Sequence, residues 1–89
     1  MKEVQYDAQN KIITCCFSGA PELDEFKRIA NKVIDELDKH KACKVLNNTI
    51  DLEINTIENQ EWAQAVWFPK VEELGLKYFA FVEFCIILL

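Results

Sequence analysis

Apolar and polar residues alternate at the start of the chain. Val4 and Tyr6 stand between polar neighbours, which predicts a short first strand. The turn-forming segment DAQN follows, and KIITCCFSG then predicts a second strand that returns along the first as a hairpin. Both faces of the second strand are mostly apolar, so we predict a central place for it in the sheet. Its two faces carry, respectively, Ile13, Cys15 and Phe17, and Ile12, Thr14 and Cys16.

The spacing of apolar residues then changes to three and four, which predicts an amphipathic helix over about 22–39. Gly19 and Pro21 end the preceding strand and begin this helix. Acidic residues occupy its first turn and basic residues its last, as the helix dipole favours. The apolar positions are Leu23, Phe26, Ala30, Val33 and Leu37.

The second half repeats the strand and helix pattern. ACKVLNN predicts a third strand, and NTIE predicts a helix start with Asn55 as the cap and Glu58 reaching back. That helix runs to about Leu74, Gly75 ends it, and LKYFAFVEF predicts a fourth strand. The order β-β-α-β-α-β predicts one α/β domain over 1–89, with a four-stranded mixed sheet and two crossover helices. Two helices would leave one face of that sheet incompletely covered.

Two tryptophans, Trp62 and Trp67, lie five residues apart in the second predicted helix, just ahead of Pro69. At about 100° per residue, Trp67 shares one stripe with Ala63, Val71 and Leu74, whereas Trp62 lies well away from it. A bend at Pro69 changes the direction of a helix but does not bring the two stripes together. We therefore predict that Trp67 belongs to the core.

For Trp62 two interpretations stay open. Either the loop over 48–56 folds over its ring, or Trp62 lies with Val66 on a surface patch that faces a partner. Tryptophan at interfaces tends to contribute much of the binding energy, which keeps the second interpretation in view.

Charge is distributed unevenly along the chain. The net charge is −5, and all of this excess lies in residues 51–89. An acidic half argues against nucleic acid as a partner and against anionic membrane surfaces. The most apolar segment, YFAFVEFCIILL, is shorter than the roughly 20 residues of a membrane span, and Glu83 interrupts it. We expect no signal peptide, no membrane insertion and a cytoplasmic location, with the four cysteines present as reduced thiols.

Reactive side chains do not form a recognisable constellation. Ser18 and His40 bracket the first helix and stand too far apart for serine catalysis. His40 is three residues from Cys43 but no third partner is evident, and we predict a solvated histidine at the helix end. The acids Asp51, Glu53, Glu58 and Glu61 lack the spacing of a calcium loop and suit a helix start. We expect no metal, no cofactor and no catalytic activity.

Several of these residues resemble a known family. The Tyr6-Asp7 hairpin, the strand that runs from Phe17 to Gly19 and the early-helix Phe26 come first. A tryptophan followed five residues later by a Trp-Phe-Pro run, then a glycine and an apolar strand, completes the outline. The second part comprises Trp62, Trp67-Phe68-Pro69, Gly75 and Ala80. Over most of its length the chain resembles small bacterial proteins related to the STAS domain, the sulfate transporter and anti-sigma-factor antagonist domain, which are often grouped with SEC14-like domains.

Two departures from that family limit what the resemblance implies. The Asp-Ser pair whose serine is phosphorylated in anti-sigma antagonists is absent, so the phosphoswitch does not carry over. Thr49 and Thr56 lie nearest the equivalent region and are the candidate phosphorylation sites, although neither follows an Asp. Such domains also continue past the strand that ends this chain, so we expect either that a final helix is missing or that the apolar end packs against another subunit.

The resemblance and the sequence together give two functional hypotheses. The first is a noncatalytic STAS-like module that binds a protein, chiefly a second copy of itself as a homodimer. Its predicted interaction surface comprises Trp62, Val66, Pro69, Phe84, Ile86 and Leu88. The alternative, implied by the SEC14-like relatives, is the binding of a small apolar molecule or lipid in a cavity near Trp62, Trp67 and Phe68.

Overall fold

The computed structural model describes residues 3–42 and 44–82, with side chains as far as Phe81. It confirms the order β-β-α-β-α-β and the four-stranded mixed sheet. The second crossover helix, over 57–73, has three consecutive parts, of which the middle one is a π-helical turn. The elements are β1 (Val4–Asp7), β2 (Ile12–Cys16), α1 (Leu23–His40), β3 (Lys44–Asn48), α2 (Ile57–Trp62), the π-turn (Ala63–Trp67), α3 (Phe68–Glu73) and β4 (Tyr78–Val82).

The sheet has the strand order β1-β2-β3-β4. β1 pairs with β2 antiparallel, and β2, β3 and β4 are parallel. Ile13 lies opposite Val45, and Val45 lies opposite Phe79, so these three residues share one face of the sheet. β2 is an inner strand, as its two apolar faces predicted.

Both crossover helices pack on the same face of the sheet and share one core with it. The sheet contributes Ile13, Cys15 and Val45, all buried, and the helices contribute a further buried set. The helical members are Ile29, Ala30, Val33, Leu37, Trp67 and Val71. On the opposite face Ile12 and Leu46 are only half-buried, and Tyr78 and Ala80 are exposed. Within the described part of the chain, one face of the sheet is therefore incompletely covered, as predicted for a fold with two crossover helices.

Helix α1 begins at Leu23 and ends at His40, one residue later at each end than predicted. Glu22 precedes it with extended backbone and no side-chain capping bond, and Asp24 and Glu25 lie in the first turn. The helix ends where Lys41 takes a left-handed conformation, with φ of 52°. A non-glycine residue in this conformation is uncommon, so no glycine marks this helix end in the sequence.

The start of the second crossover helix differs from the prediction. The cap is Thr56 and not Asn55, since the Thr56 hydroxyl accepts the backbone N–H of Asn59 at 3.1 Å. Threonine is also a good cap and directly follows Asn55, so the predicted helix start was one residue early. At the other end Gly75 is left-handed as predicted, with φ of 100°. The Leu76 N–H bonds to the Val71 carbonyl at 2.9 Å, closing the helix with a Schellman motif.

The π-turn between α2 and α3 changes the phase of the helix. The Phe68 N–H donates to the carbonyl of Ala63, five residues back, and this adds one residue to the turn. Pro69 follows directly; it has no N–H to donate, and its ring crowds the carbonyl four residues before it. A wider turn at this point avoids both problems. A bend at Pro69 was predicted from the sequence, but the π-turn with its additional residue was not.

None of the helices within residues 3–42 and 44–82 is both long enough and apolar enough to span a membrane.

Candidate functional site

A pocket of about 400 Å³ opens between the helical layer and the sheet. Its sheet side is formed at the carboxyl ends of β2, β3 and β4, the end of a parallel sheet where ligands bind in open α/β folds. Aromatic rings dominate this side, with one carboxamide and one thiol. The sheet-side residues are Cys15, Phe17, Asn47, Phe79 and Phe81.

The helices supply the opposite wall. Helix α1 contributes residues spaced by four and three, and the helix over 57–73 contributes residues spaced by three and one in alternation. Such spacing keeps each set on one helical face. These wall residues are Phe26, Ala30 and Val33 from α1, and Gln60, Ala63, Gln64, Trp67 and Phe68 from the second crossover helix.

Two loops close one side of the pocket by continuing the parallel pairing of β2 and β3. Gly19 forms a bridge with Leu52, and its N–H donates to the Asp51 carbonyl at 2.9 Å. The Gly19 carbonyl in turn accepts the N–H groups of Glu53 at 2.7 Å and Ile54 at 3.2 Å. Gly19 has a φ of 66°, a conformation that favours glycine. The loop that this pairing holds in place supplies three lining residues: Thr49, Leu52 and Asn55.

Trp67 forms the inner wall and confirms its prediction as a core residue, with 5% of its surface exposed. Its indole Nε1–H donates to the main-chain carbonyl of Ala30 in α1 at 2.9 Å. Its ring meets Phe68 nearly edge-on at 5.0 Å and Phe79 at 5.6 Å between centroids. One side chain therefore joins both helices and the sheet at the pocket.

Trp62 lies outside the pocket lining and contacts helix α1. Its ring meets Phe26 edge-on, with 6.0 Å between centroids and 88° between the ring planes. The Lys27 ammonium lies 5.7 Å from the Trp62 ring centroid. The side chain is half-buried, while Val66 is 50% exposed and Pro69 is exposed. The π-turn accounts for this placement, because an extra residue between the two tryptophans lets both face inwards.

Four carboxamide side chains, from Asn47, Asn55, Gln60 and Gln64, provide the polar groups of the pocket together with the Thr49 hydroxyl. The Cys15 thiol donates to Asn47 Oδ1 at 3.5 Å, on the floor of the pocket. Gln60 Nε2 donates to the carbonyl of Asn55 at 2.9 Å, which ties the loop to the helix. Gln64 is exposed at the pocket wall. Carboxamides both donate and accept hydrogen bonds, so these groups can orient a polar end of a bound molecule.

Burial makes the Cys15 thiol unreactive. Desolvation raises its pKa to about 12, and the neighbouring Cys16 adds to the increase. The thiolate is the nucleophilic form of cysteine, so Cys15 stays protonated and inert at neutral pH. This fits the prediction of a small buried hydrophobe, whereas Cys16 is only half-buried, on the other face of the sheet. Cys43 and Cys85 lie outside the described residues.

His40 does not have the solvated position that was predicted. Its ring stacks on Tyr6 with 3.8 Å between centroids and 5° between planes, and its Nε2 lies 2.8 Å from Glu36 Oε2. The stack joins the end of α1 to the edge strand β1, which the sequence spacing did not indicate. Ser18 is exposed and follows β2.

The two candidate phosphorylation sites have different surroundings. Thr49 is half-buried and lines the pocket, and the Thr56 hydroxyl caps α2. The acids Asp51, Glu53, Glu58 and Glu61 are all exposed. Within residues 3–42 and 44–82, no group of three or more His, Cys, Asp or Glu side chains is placed to hold a metal ion.

Part of this site was predicted from the sequence. Of the three residues expected near an apolar cavity, Trp67 and Phe68 line the pocket and Trp62 does not. The lining residues Asn47, Gln60 and Gln64 were not predicted. The only signal for Asn47 was a polar residue near the end of an otherwise apolar strand. Four further candidates lie outside the described residues: Glu83, Phe84, Ile86 and Leu88.

Comparison with known proteins adds no relative to this picture. No protein-family model matches the chain, and neither the curated proteins nor the solved structures give a significant match.

Proposed function

We propose that this protein is a noncatalytic binding module that holds a small apolar molecule in the pocket between its helices and its sheet. The observation that carries the proposal is the pocket itself, with about 400 Å³ of space at the carboxyl ends of three parallel strands. Its volume and its apolar lining with a few convergent polar groups are typical of small-molecule sites.

The chemistry of the lining supports binding without reaction. Six of the lining side chains are aromatic, from Phe17, Phe26, Trp67, Phe68, Phe79 and Phe81. The polar ones are carboxamides, one threonine and the protonated Cys15 thiol. General acid–base catalysis needs a group that titrates near the working pH, and carboxamides do not titrate. These groups therefore suit recognition of a ligand.

This proposal corresponds to the SEC14-like alternative drawn from the sequence resemblance. The strand and helix order is compatible with a domain of the STAS and SEC14-like type, and we include that type in the proposal. An apolar pocket beside Trp67 and Phe68 is the feature that this alternative required.

Filling the pocket provides a direct test. Ala63 lines the pocket and is half-buried, whereas Ala65 is exposed on the same helix and does not line it. Intrinsic tryptophan fluorescence would be titrated with 1-decanol, decanoate and 2-naphthamide in the wild type, Ala63→Phe and Ala65→Phe. We expect at least one probe to shift the emission of the wild type and Ala65→Phe, and none to shift that of Ala63→Phe. No response from the wild type, or an unchanged response in Ala63→Phe, would contradict the proposal.

Self-association is the second candidate function, and the uncovered face of the sheet favours it. Tyr78 is 62% exposed there, Ala80 is exposed, and Ile12 and Leu46 are half-buried. Apolar area of this kind is a common interface between copies of a chain. We propose a homodimer that covers this face.

Light scattering after size-exclusion chromatography tests the homodimer. We expect a wild-type dimer at micromolar concentration and a monomer for Ala80→Glu, which places a charge on the uncovered face. Val66→Glu tests the helical patch predicted from the sequence in the same assay. A wild-type monomer would rule out self-association under these conditions and leave the pocket proposal untouched.

A further inference from the structure

The sixteen described residues that line the pocket include no Asp, Glu, Lys, Arg or His. Among these described residues Cys15 is the one group that can titrate, and its raised pKa keeps it neutral. An ionised ligand group entering this space would lose water without gaining a partner of opposite charge. Uncompensated burial of a charge is among the most costly events in protein binding.

The surroundings of the pocket disfavour anions further. Asp51 and Glu53 lie in the loop that supplies lining residues, and Glu61 follows the lining residue Gln60. All three are exposed. Their combined field repels an approaching carboxylate or phosphate at the ionic strength of a cell, over about 8 Å.

Cations gain little in compensation. Aromatic faces attract cations, but the rings here already contact one another: Phe17 and Phe26 stack with 22° between planes, and Phe68 and Phe79 pack nearly edge-on with 89°. In both arrangements a ring face is occupied by the neighbouring ring. Among the lining residues within 3–42 and 44–82, none supplies a carboxylate to complete a cation site.

From this arrangement we infer that the pocket selects an electrically neutral ligand, an aromatic or aliphatic body with an uncharged polar end such as an amide, ketone or alcohol. The carboxamides of Asn47, Gln60 and Gln64 supply both donors and acceptors for that end. Fatty-acid anions and ammonium compounds are thereby excluded. This inference rests on the proposed function, because it specifies which molecules the same pocket binds.

Three probes of nearly equal shape separate charge from size. 2-Naphthamide is neutral, 2-naphthoate is an anion and 2-naphthamidine is a cation at pH 7. Isothermal titration calorimetry on the full chain would give the dissociation constant of each. We expect 2-naphthamide to bind about ten-fold or more tightly than either charged probe.

Charge-changing variants show whether the preference arises in the pocket. Gln64→Glu adds a carboxylate at an exposed lining position, where the fold tolerates it. Gln9→Glu adds the same charge in the β1–β2 turn, away from the pocket. The measured quantity is the ratio of the affinity for 2-naphthamidine to the affinity for 2-naphthamide. We expect this ratio to rise in Gln64→Glu and to keep its wild-type value in Gln9→Glu.

The possible results separate the two proposals. Equal or tighter binding of 2-naphthoate or 2-naphthamidine by the wild type would overturn charge selection while supporting a ligand pocket. An affinity ratio that changes equally in Gln64→Glu and Gln9→Glu would also overturn charge selection by the pocket. The long-range field of the protein, and not the pocket lining, would then determine the preference for the neutral probe. If no probe binds and the Ala63→Phe experiment is also negative, the proposed function itself fails.

Discussion

The indole of Trp67 donates a hydrogen bond to the main-chain carbonyl of Ala30 at 2.9 Å, inside the core. The bond joins the second crossover helix to α1 across the back of the pocket. Trp67 is 5% exposed and Ala30 is 4% exposed, so water does not compete for either group. The ring at this position therefore fixes the spacing of the two helices and the depth of the pocket.

Replacing Trp67 should cost more than replacing Trp62. Trp67→Phe loses the hydrogen bond to Ala30 and leaves unfilled volume, for which we expect about 2–3 kcal/mol in the free energy of unfolding. Trp62→Phe is the matched control at a half-buried position with no such bond, with an expected loss of about 1 kcal/mol or less. Urea denaturation followed by circular dichroism would measure both. Equal losses would show that the bond to Ala30 contributes little.

Asn59 should be important for stability because it is completely buried at the junction of two elements. Its Nδ2 donates to the carbonyl of Pro21, just before α1, at 3.0 Å. Asn59→Ala leaves that carbonyl without this partner, and we expect a loss of about 1–3 kcal/mol in the free energy of unfolding. The control is Asn31→Ala, at an exposed position in α1, which should change stability by less than about 0.5 kcal/mol. A loss no greater than that of the control would contradict this role.

Acid should weaken the connection between β1 and α1. Arg28 makes a two-bond contact with Glu3, at 2.9 and 2.6 Å, and also bonds to Glu25. Hydrogen bonds from Arg28 lower the pKa of both carboxyl groups. Because the folded-state pKa values lie below the ordinary value of about 4.3, the stabilisation is complete above that pH and is lost as pH falls through the lower folded values.

Urea midpoints between pH 3 and pH 7 would measure this dependence. We expect Arg28→Met to flatten the decline at acid pH, since both carboxyl groups then titrate nearer their ordinary range. Lys70→Met removes one positive charge from a different helix and should keep the wild-type slope. A slope in Arg28→Met as steep as that of the wild type would show that other groups control acid unfolding.

The two adjacent cysteines should differ in reactivity. Cys15 is buried with a raised pKa, and Cys16 lies half-buried on the uncovered face of the sheet. With Ellman's reagent at pH 8, on the Ala80→Glu background that keeps this face free of a second copy, we expect Cys16→Ala to remove one thiol from the rapidly reacting set of the folded protein and Cys15→Ala to remove none. In urea each variant should show one thiol fewer than the wild type. Rapid loss in Cys15→Ala would mean that this thiol is accessible.

Local pattern was enough to predict the layered fold. The three- and four-residue spacing of Ala30, Val33 and Leu37 placed α1 to within one residue at each end, and all three are buried. Alternation placed Ile13 and Cys15 on one face of β2, and the structure shows that this face is the covered one. These features depend on neighbours in sequence, so a single chain is enough to show them.

The pocket was harder to predict because its residues come together only through tertiary pairing. Asn47 lies opposite Cys15 on the adjacent parallel strand and accepts a hydrogen bond from its thiol. The residues next to Asn47 in the sequence do not indicate this pairing. The stack of Tyr6 on His40 joins residues 34 positions apart. The spacing of apolar residues along the chain does not predict such a pair. The cap at Thr56 was missed for a different reason, since the adjacent Asn55 is also a good cap.

The π-turn lets the second crossover helix hold one residue more than an ordinary α-helix needs between its two tryptophans. Deleting a single residue of the turn, such as the exposed Ala65, would leave the two rings four positions apart in an ordinary α-helix. Four residues advance by about 400°, so both rings would stay on one face of the helix, towards Phe26 and Ala30. Converting the π-turn to α-helix at full length would instead separate the rings by about 140°. This helix therefore tolerates the loss of one residue in the turn better than the loss of the turn itself.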